Sequence, residues 1–163
     1  MKYDLVVDAE GKILGRMASY VAKELLKGKR VAIVNAEKAV ITGNPQTILK
    51  KYLTRRSIQS TIHPRKSPVQ SRTPDRIVWK TVRGMLPMKK AKGREALRRL
   101  RVFIGLPEEL ADVEKDVGLK EDERTYIKYT VQSLKPKKTK GYVTVLWLAE
   151  QLGWKGVKYV EQE

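Results

Sequence analysis

The apolar positions of this chain change period several times, and each change marks an element. "DLVVDAEG" sets Leu5, Val6 and Val7 in a short apolar run closed by Gly11, which predicts a buried strand and a turn. In "ILGRMASYVAKELLKG" the apolar residues Leu14, Met17, Ala18, Val21, Ala22 and Leu25 recur at helical spacing, and Gly28 stands where such a helix should end. "KRVAIVNAE" returns to a continuous apolar run, Val31 to Val34, suited to a strand covered on both faces. Strand, helix, strand is the order of a βαβ unit, whose strands run parallel with a right-handed crossover.

Farther along, "AVITGNPQTILKKYLTRR" starts extended, turns at Gly43 and predicts a second helix with Asn44 as N-cap and Pro45 in its first position. Ile48, Leu49, Tyr52 and Leu53 form its expected buried face, while Lys50, Lys51, Arg55 and Arg56 point elsewhere. A third helix, "PDRIVWKTVRGML", is opened by Thr73 and Pro74, shows Val78, Val82 and Met85 or Leu86 on one face, and stops at Gly84 and Pro87. "GREALRRLR" reads as a short fourth helix with Leu97 and Leu100 inward and Arg94, Arg98 and Arg101 as an outward stripe at i, i+4, i+7. Glu95 stands one turn before Arg99, where the two can pair. "VFIG" predicts a further buried strand and "YVTVLWLAEQLGW" a closing amphipathic helix. Between the second and third helices, "SIQSTIHPRKSPVQSRTP" has three prolines, no acid and no sustained period. It predicts an extended loop, long enough that a functional role is expected.

No internal repeat or domain-scale linker interrupts the 163 residues. They are expected to form one domain, 1–163, with a basic extended loop at 57–73 and a C-terminal extension at 108–163.

Charge changes the picture most. The net charge is +17, and residues 1–100 hold 24 lysines and arginines against 7 acids, whereas residues 101–163 hold 11 of each. Lys50 to Arg101 alone carries 17 cations against Asp75 and Glu95. A block of that sign repels itself and costs folding energy unless a polyanion neutralises it. Nucleic acid is the first candidate, because every phosphate neutralised releases counterions. Arginine dominates Arg83 to Arg101, and its planar fork suits both phosphate and base stacking. A basic helix can instead lie on an anionic membrane, but the apolar face at Leu97 and Leu100 is narrow and the core needs it. Trp79, Tyr52 and Tyr3 are able to stack on bases, although core packing accounts for each as well.

Other chemistries fall away. Cysteine is absent, which removes disulfides, thiolate metal sites and a cysteine nucleophile. His63 is the only histidine and lies in the proline-flanked loop, so it suits neither a multi-histidine metal site nor a catalytic triad. "GKILGR" lacks the spacing of a Walker loop, and Asp4, Asp8 and Glu10 read as strand-edge and turn residues. The start, "MKYDLVVDAEG", has acids where a secretory signal has its apolar region, and "VTVLWLA" is far too short to span a bilayer. No catalytic residue, cofactor or metal is expected, nor a membrane, a small-molecule substrate or an obligate homo-oligomer. Zinc-finger spacing and an RNP signature are also missing, and charge spread over loop and helices suits shape-based binding of folded RNA.

Three blocks carry a resemblance: "VVDAEGKILGRMASYVAKELLKGK", "VAIVNAEKAVITGN" and "TVRGMLPMKKAKGREALRRLRVFIGLP". In this order, over about Val6 to Pro107, they closely resemble the universal large-subunit ribosomal protein thirteen family, and Arg83-Gly84-Met85-Leu86-Pro87 is the most specific part. "HPRKSPVQSRTPDRIVWKTVRGMLP" looks like the archaeal and eukaryotic branch, with the archaeal side preferred for so short a chain. That branch often has Asn at His63, Gly at Ser67, and His at Gln70 and Met88. The resemblance implies an α/β fold, three-layer α/β/α, with a small parallel or mixed four-stranded sheet, the basic loop and a C-terminal helix. It implies a cytoplasmic, structural role in the large subunit, binding large-subunit rRNA beside neighbouring ribosomal proteins; the alternative is a free-standing nucleic-acid-binding protein, and more distantly a nucleotide-using enzyme. By motif match Arg83, Gly84, Lys89, Lys90, Lys92 and Arg94 would lie against rRNA. The rest of the expected contact set follows the cationic block: Arg16, Lys50, Lys51, Arg55, Arg56, Arg65, Lys66, Arg72, Arg98, Arg99 and Arg101.

Overall fold

The computed structural model describes residues 3–60, 63, 65, 67–107, 110 and 141–156. The acidic stretch after Pro107 and the basic linker before Gly141 lie outside these residues, as does Lys66. The chain begins β1 (Leu5–Asp8), α1 (Leu14–Leu26), β2 (Val31–Val34). β1 and β2 are parallel, with Val7 opposite Ile33, as the βαβ order requires. Left-handed φ values at Gly11 and Gly28 explain the glycines that bound α1.

β2 is buried along its whole length because it is the central strand, flanked by β1 on one side and by β4 (Leu100–Val102), also parallel, on the other. Val31 and Ile33 join the main core, which they share with Met17, Val21 and Leu25 of α1. Ala32 and Val34, on the opposite face, pack with Leu110 and with half-buried Tyr3, Val6 and Phe103. The rings of Tyr3 and Phe103 meet edge to face at 6.3 Å.

β3 (Val40–Thr42) leads into α2 (Pro45–Ser57), which Asn44 caps by accepting a hydrogen bond from the Gln46 N–H at 2.9 Å. α3 (Pro74–Met85) and α4 (Ala91–Arg98) follow, and α3 adds Ile77, Val78 and Val82 to the core beside α1. The described chain closes with β5 (Tyr142–Thr144) and α5 (Val145–Gln151).

The architecture is α/β, and it departs from the sequence expectation in four places. The sheet is not one unit of four strands: three parallel strands, β1-β2-β4, stand apart from an antiparallel pair, β3-β5. That pair uses "YVT", whose β-branched residues leave the expected closing helix, which starts only at Val145. Thr144 marks the change by accepting from the Trp147 N–H at 3.2 Å. α4 ends at Arg98, so Leu100 and Arg101 belong to β4 rather than to a helical stripe, and the strand begins before "VFIG". The reason is burial plus pairing: Leu100 enters the core and the Val31 N–H donates to the Arg99 carbonyl at 3.1 Å, which a further helical turn would forfeit. α2 buries nothing fully, with Ile48, Leu49 and Tyr52 half-buried and Leu53 exposed. Its apolar residues are too few, among four cations, to do more than rest on the edge of the core. Of the two residues expected at the core position after α3, Leu86 fills it and Met85 is exposed, because the chain turns extended at Leu86.

Glu24 on the inner side of α1 is buried yet charged, paired with Lys27 at 2.6 Å and Lys29 at 2.9 Å. Burial raises its pKa, but the hydrogen bonds and charges of the two lysines prevail and hold the carboxyl below its ordinary value.

Candidate nucleic-acid interface

The cationic block is displayed on three supports. α2 presents Lys50, Lys51 and Arg55 outward, because its Asn44 cap and Pro45 fix the start and its half-buried residues fix the rotation. α3 holds Arg83 and Gly84 exposed at its C-terminal end, while Val78 and Val82 on its inner side have no exposure. The turn after α3 and the outer face of α4 expose Lys89, Lys90, Lys92, Arg94 and Arg98, over Ala96 and Leu97 in the core. Gly93 lets this turn close: a Cβ there would meet the Pro87 carbonyl oxygen at 2.2 Å. The Pro87 carbonyl also accepts from the Lys90 N–H at 3.0 Å, so the segment Leu86 to Lys90 is folded tightly onto the start of α4.

The remaining expected residues take different places. Arg16 is exposed in the first turn of α1, and Arg65 and Arg72 are exposed in the loop. Arg56 is half-buried and donates to the Leu152 carbonyl at the end of α5, a contact that ties α2 to the C-terminal helix. Arg99 is half-buried, and its Nε is enclosed without a hydrogen-bond partner among the described residues. Arg101 is exposed on β4, with its guanidinium 3.3 Å from the Leu100 carbonyl.

Two further cations join the surface with no sequence signal beyond the charge of their surroundings. Arg76 and Arg83 both lie 5.7 Å from the centre of the Trp79 ring, so one indole is flanked by two guanidinium groups. Lys80, half-buried, donates to the Val69 carbonyl and anchors the loop to α3. Burial lowers its pKa, and the neighbouring Arg83 charge adds to the effect. Across from it Arg55 lies 6.0 Å from the Tyr52 ring centre. Burial raises the pKa of the Tyr52 phenol against the opposing pull of Arg55. Among the described residues Arg76 is the only member of the central block in an ion pair, a loose one with Asp75 at 3.9 Å. No group of three or more metal-ligating side chains occurs among the described residues, and no helix there is long and apolar enough to cross a membrane.

The family model for ribosomal protein L13 matches residues 2–109, which span every one of these supports. This chain belongs to the ribosomal protein L13 family. Among its relatives is the large ribosomal subunit protein uL13 of Archaeoglobus fulgidus, 44% identical over 153 residues, 93% of this chain and 89% of the relative. That of Aeropyrum pernix is 40% identical over 154 residues, 94% of this chain and 92% of the relative. That of Methanosarcina barkeri is 53% identical over 110 residues, 67% of this chain and 76% of the relative. These archaeal relatives place the chain on the archaeal side of the L13 family. The L13 match stops close to Pro107, the end of the stretch that carries the resemblance, whereas the first two relatives continue well beyond it.

Proposed function

We propose that this protein is a structural constituent of the large ribosomal subunit that binds and stabilises large-subunit rRNA in the cytoplasm and catalyses no reaction. Membership of the L13 family supports the role, and one observation carries the mechanism. A dense cationic surface, from Arg83 through the turn to Arg98, stands on a packed core with almost no acid beside it. Each exposed arginine or lysine can neutralise a phosphate and release counterions, while the core beneath keeps the cations in a fixed arrangement that fits a folded RNA. Lys50, Lys51 and Arg55 on α2 and Arg16 on α1 are exposed as well and add to the cations available to the RNA. The protein acts as one domain and one copy beside neighbouring ribosomal proteins.

Co-sedimentation tests the role: the protein should remain with large subunits through a moderate salt wash. Recovery only in the soluble fraction would favour a free-standing nucleic-acid-binding protein instead. The contact surface is tested by Arg94→Gln with Arg98→Gln. Both are exposed on α4, so the double variant should fold, and the slope of log affinity against log salt for the rRNA should become shallower by about one to two.

A further inference from the structure

Three glycines lie inside helices among the described residues: Gly15 in α1, Gly84 in α3 and Gly93 in α4. None has the left-handed φ that would require glycine. Glycine is less favourable than alanine in a helix, so each position calls for a reason. Gly93 has one in the Pro87 backbone, which leaves no room for a side chain. Gly15 and Gly84 have none inside the protein, since a Cβ at either would meet nothing within 4 Å. Far apart in sequence, they line the same cleft, of about 450 Å³, enclosed by α1, β3, α2 and α3.

The cleft has a definite chemistry. Ile41, Ile77 and Tyr52 contribute apolar surface, and Arg55 and Lys80 line the cleft too. Gln70 and Ser71 bring an amide and a hydroxyl, and among the described residues no carboxylate lines it. Beside it a second depression of about 430 Å³ shares Gln70, Lys80 and Gly84 and continues to Arg83. Resting on the rRNA-binding reading above, we propose that this cleft holds one unstacked nucleotide of the RNA. The base lies on the apolar surface beside Tyr52, its edge meets Gln70 and Ser71, and its phosphates meet Arg55, Lys80 and Arg83. The volume lies within the range of small-ligand sites, about 300–1,000 Å³. A flat base with a polar edge and an attached phosphate matches an aromatic, apolar and cationic lining, which is how single-stranded RNA is held. The missing side chains of Gly15 and Gly84 let the nucleotide approach the helix backbones.

The test uses the full chain and a protein-free transcript of large-subunit rRNA. Gly15→Ala with Gly84→Ala should melt at or above the parent's temperature yet bind the transcript at least tenfold more weakly, with a shallower salt slope because the excluded nucleotide gives up its phosphate contacts to Arg55, Lys80 and Arg83. Gly84→Leu should weaken binding further. Chemical probing should show one unpaired base protected by the parent and reactive again with the variant. A folded alanine double variant that binds as tightly as the parent overturns the cleft alone, while failure of the parent to bind the transcript overturns the rRNA-binding reading with it. Normal RNA affinity combined with poor incorporation into subunits would give the cleft to a protein segment and overturn the nucleotide.

Discussion

Gly93→Ala tests whether the turn that carries the cations is held by close backbone packing. The new methyl carbon would sit 2.2 Å from the Pro87 carbonyl oxygen, 2.5 Å from its carbon and 3.1 Å from Cγ of the ring. A carbon cannot approach backbone closer than about 3.0 Å, so the turn and α4 must separate by about 0.8 Å. That motion pulls on the hydrogen bond from the Lys90 N–H to the Pro87 carbonyl and disturbs the core near Leu86 and Leu97. Overpacking of this kind costs about 1–3 kcal/mol. Alanine recovers about 1 kcal/mol of helix propensity, so the net loss against the parent is about 0–2 kcal/mol. With a urea slope of about 2 kcal/mol per molar, the midpoint should fall by up to roughly 1 M with the slope unchanged. Gly84→Ala is the internal control, because its added carbon meets nothing and the midpoint should hold or rise. A Gly93→Ala midpoint equal to or above that of Gly84→Ala would refute the closure, since the two share the propensity gain and differ by the clash. It would mean that Leu86 to Lys90 is placed by something other than this contact.

Ile33 is fully buried in the central strand, so Ile33→Asp should cost several kcal/mol, roughly 3–5, by enclosing an unpaired charge; a melting temperature within a couple of degrees of the parent's would contradict the layer order. Glu24→Gln should cost about 1–2 kcal/mol at neutral pH, since it removes the partner of Lys27 and Lys29. The folded carboxyl titrates below its ordinary value of 4.5, so its contribution is complete above that pH and is lost as pH falls through the folded value. Urea midpoints of parent and variant should therefore converge in acid, and a gap that widens below pH 4.5 would be the wrong sign. Trp79→Leu should lower RNA affinity several-fold with little change in the salt slope, because it removes the ring that orders Arg76 and Arg83 but no charge; filter binding over a salt series measures both.

Much of this fold is legible in one dimension because its causes are local. The β1-α1-β2 unit follows from apolar period and bounding glycines, and the start of α2 from Asn44 and Pro45. The excess of cations between Lys50 and Arg101 is likewise a property of the chain itself, and it calls for a polyanion such as nucleic acid whatever the shape. Other features depend on what a segment meets. Leu100 and Arg101 have a helical period as they stand, and only the open edge of β2 turns them into a strand. "YVT" becomes a strand because β3 is there to pair with it. Glu24 looks like an ordinary surface residue until the turn after α1 brings Lys29 back over it. The three helical glycines are alike in sequence. One is packed against Pro87, and two open onto a cleft built from segments that fold together from opposite ends of the first hundred residues. Periodicity and charge are carried by neighbours along the chain, whereas register, close approach and enclosed space arise only between residues that folding brings together.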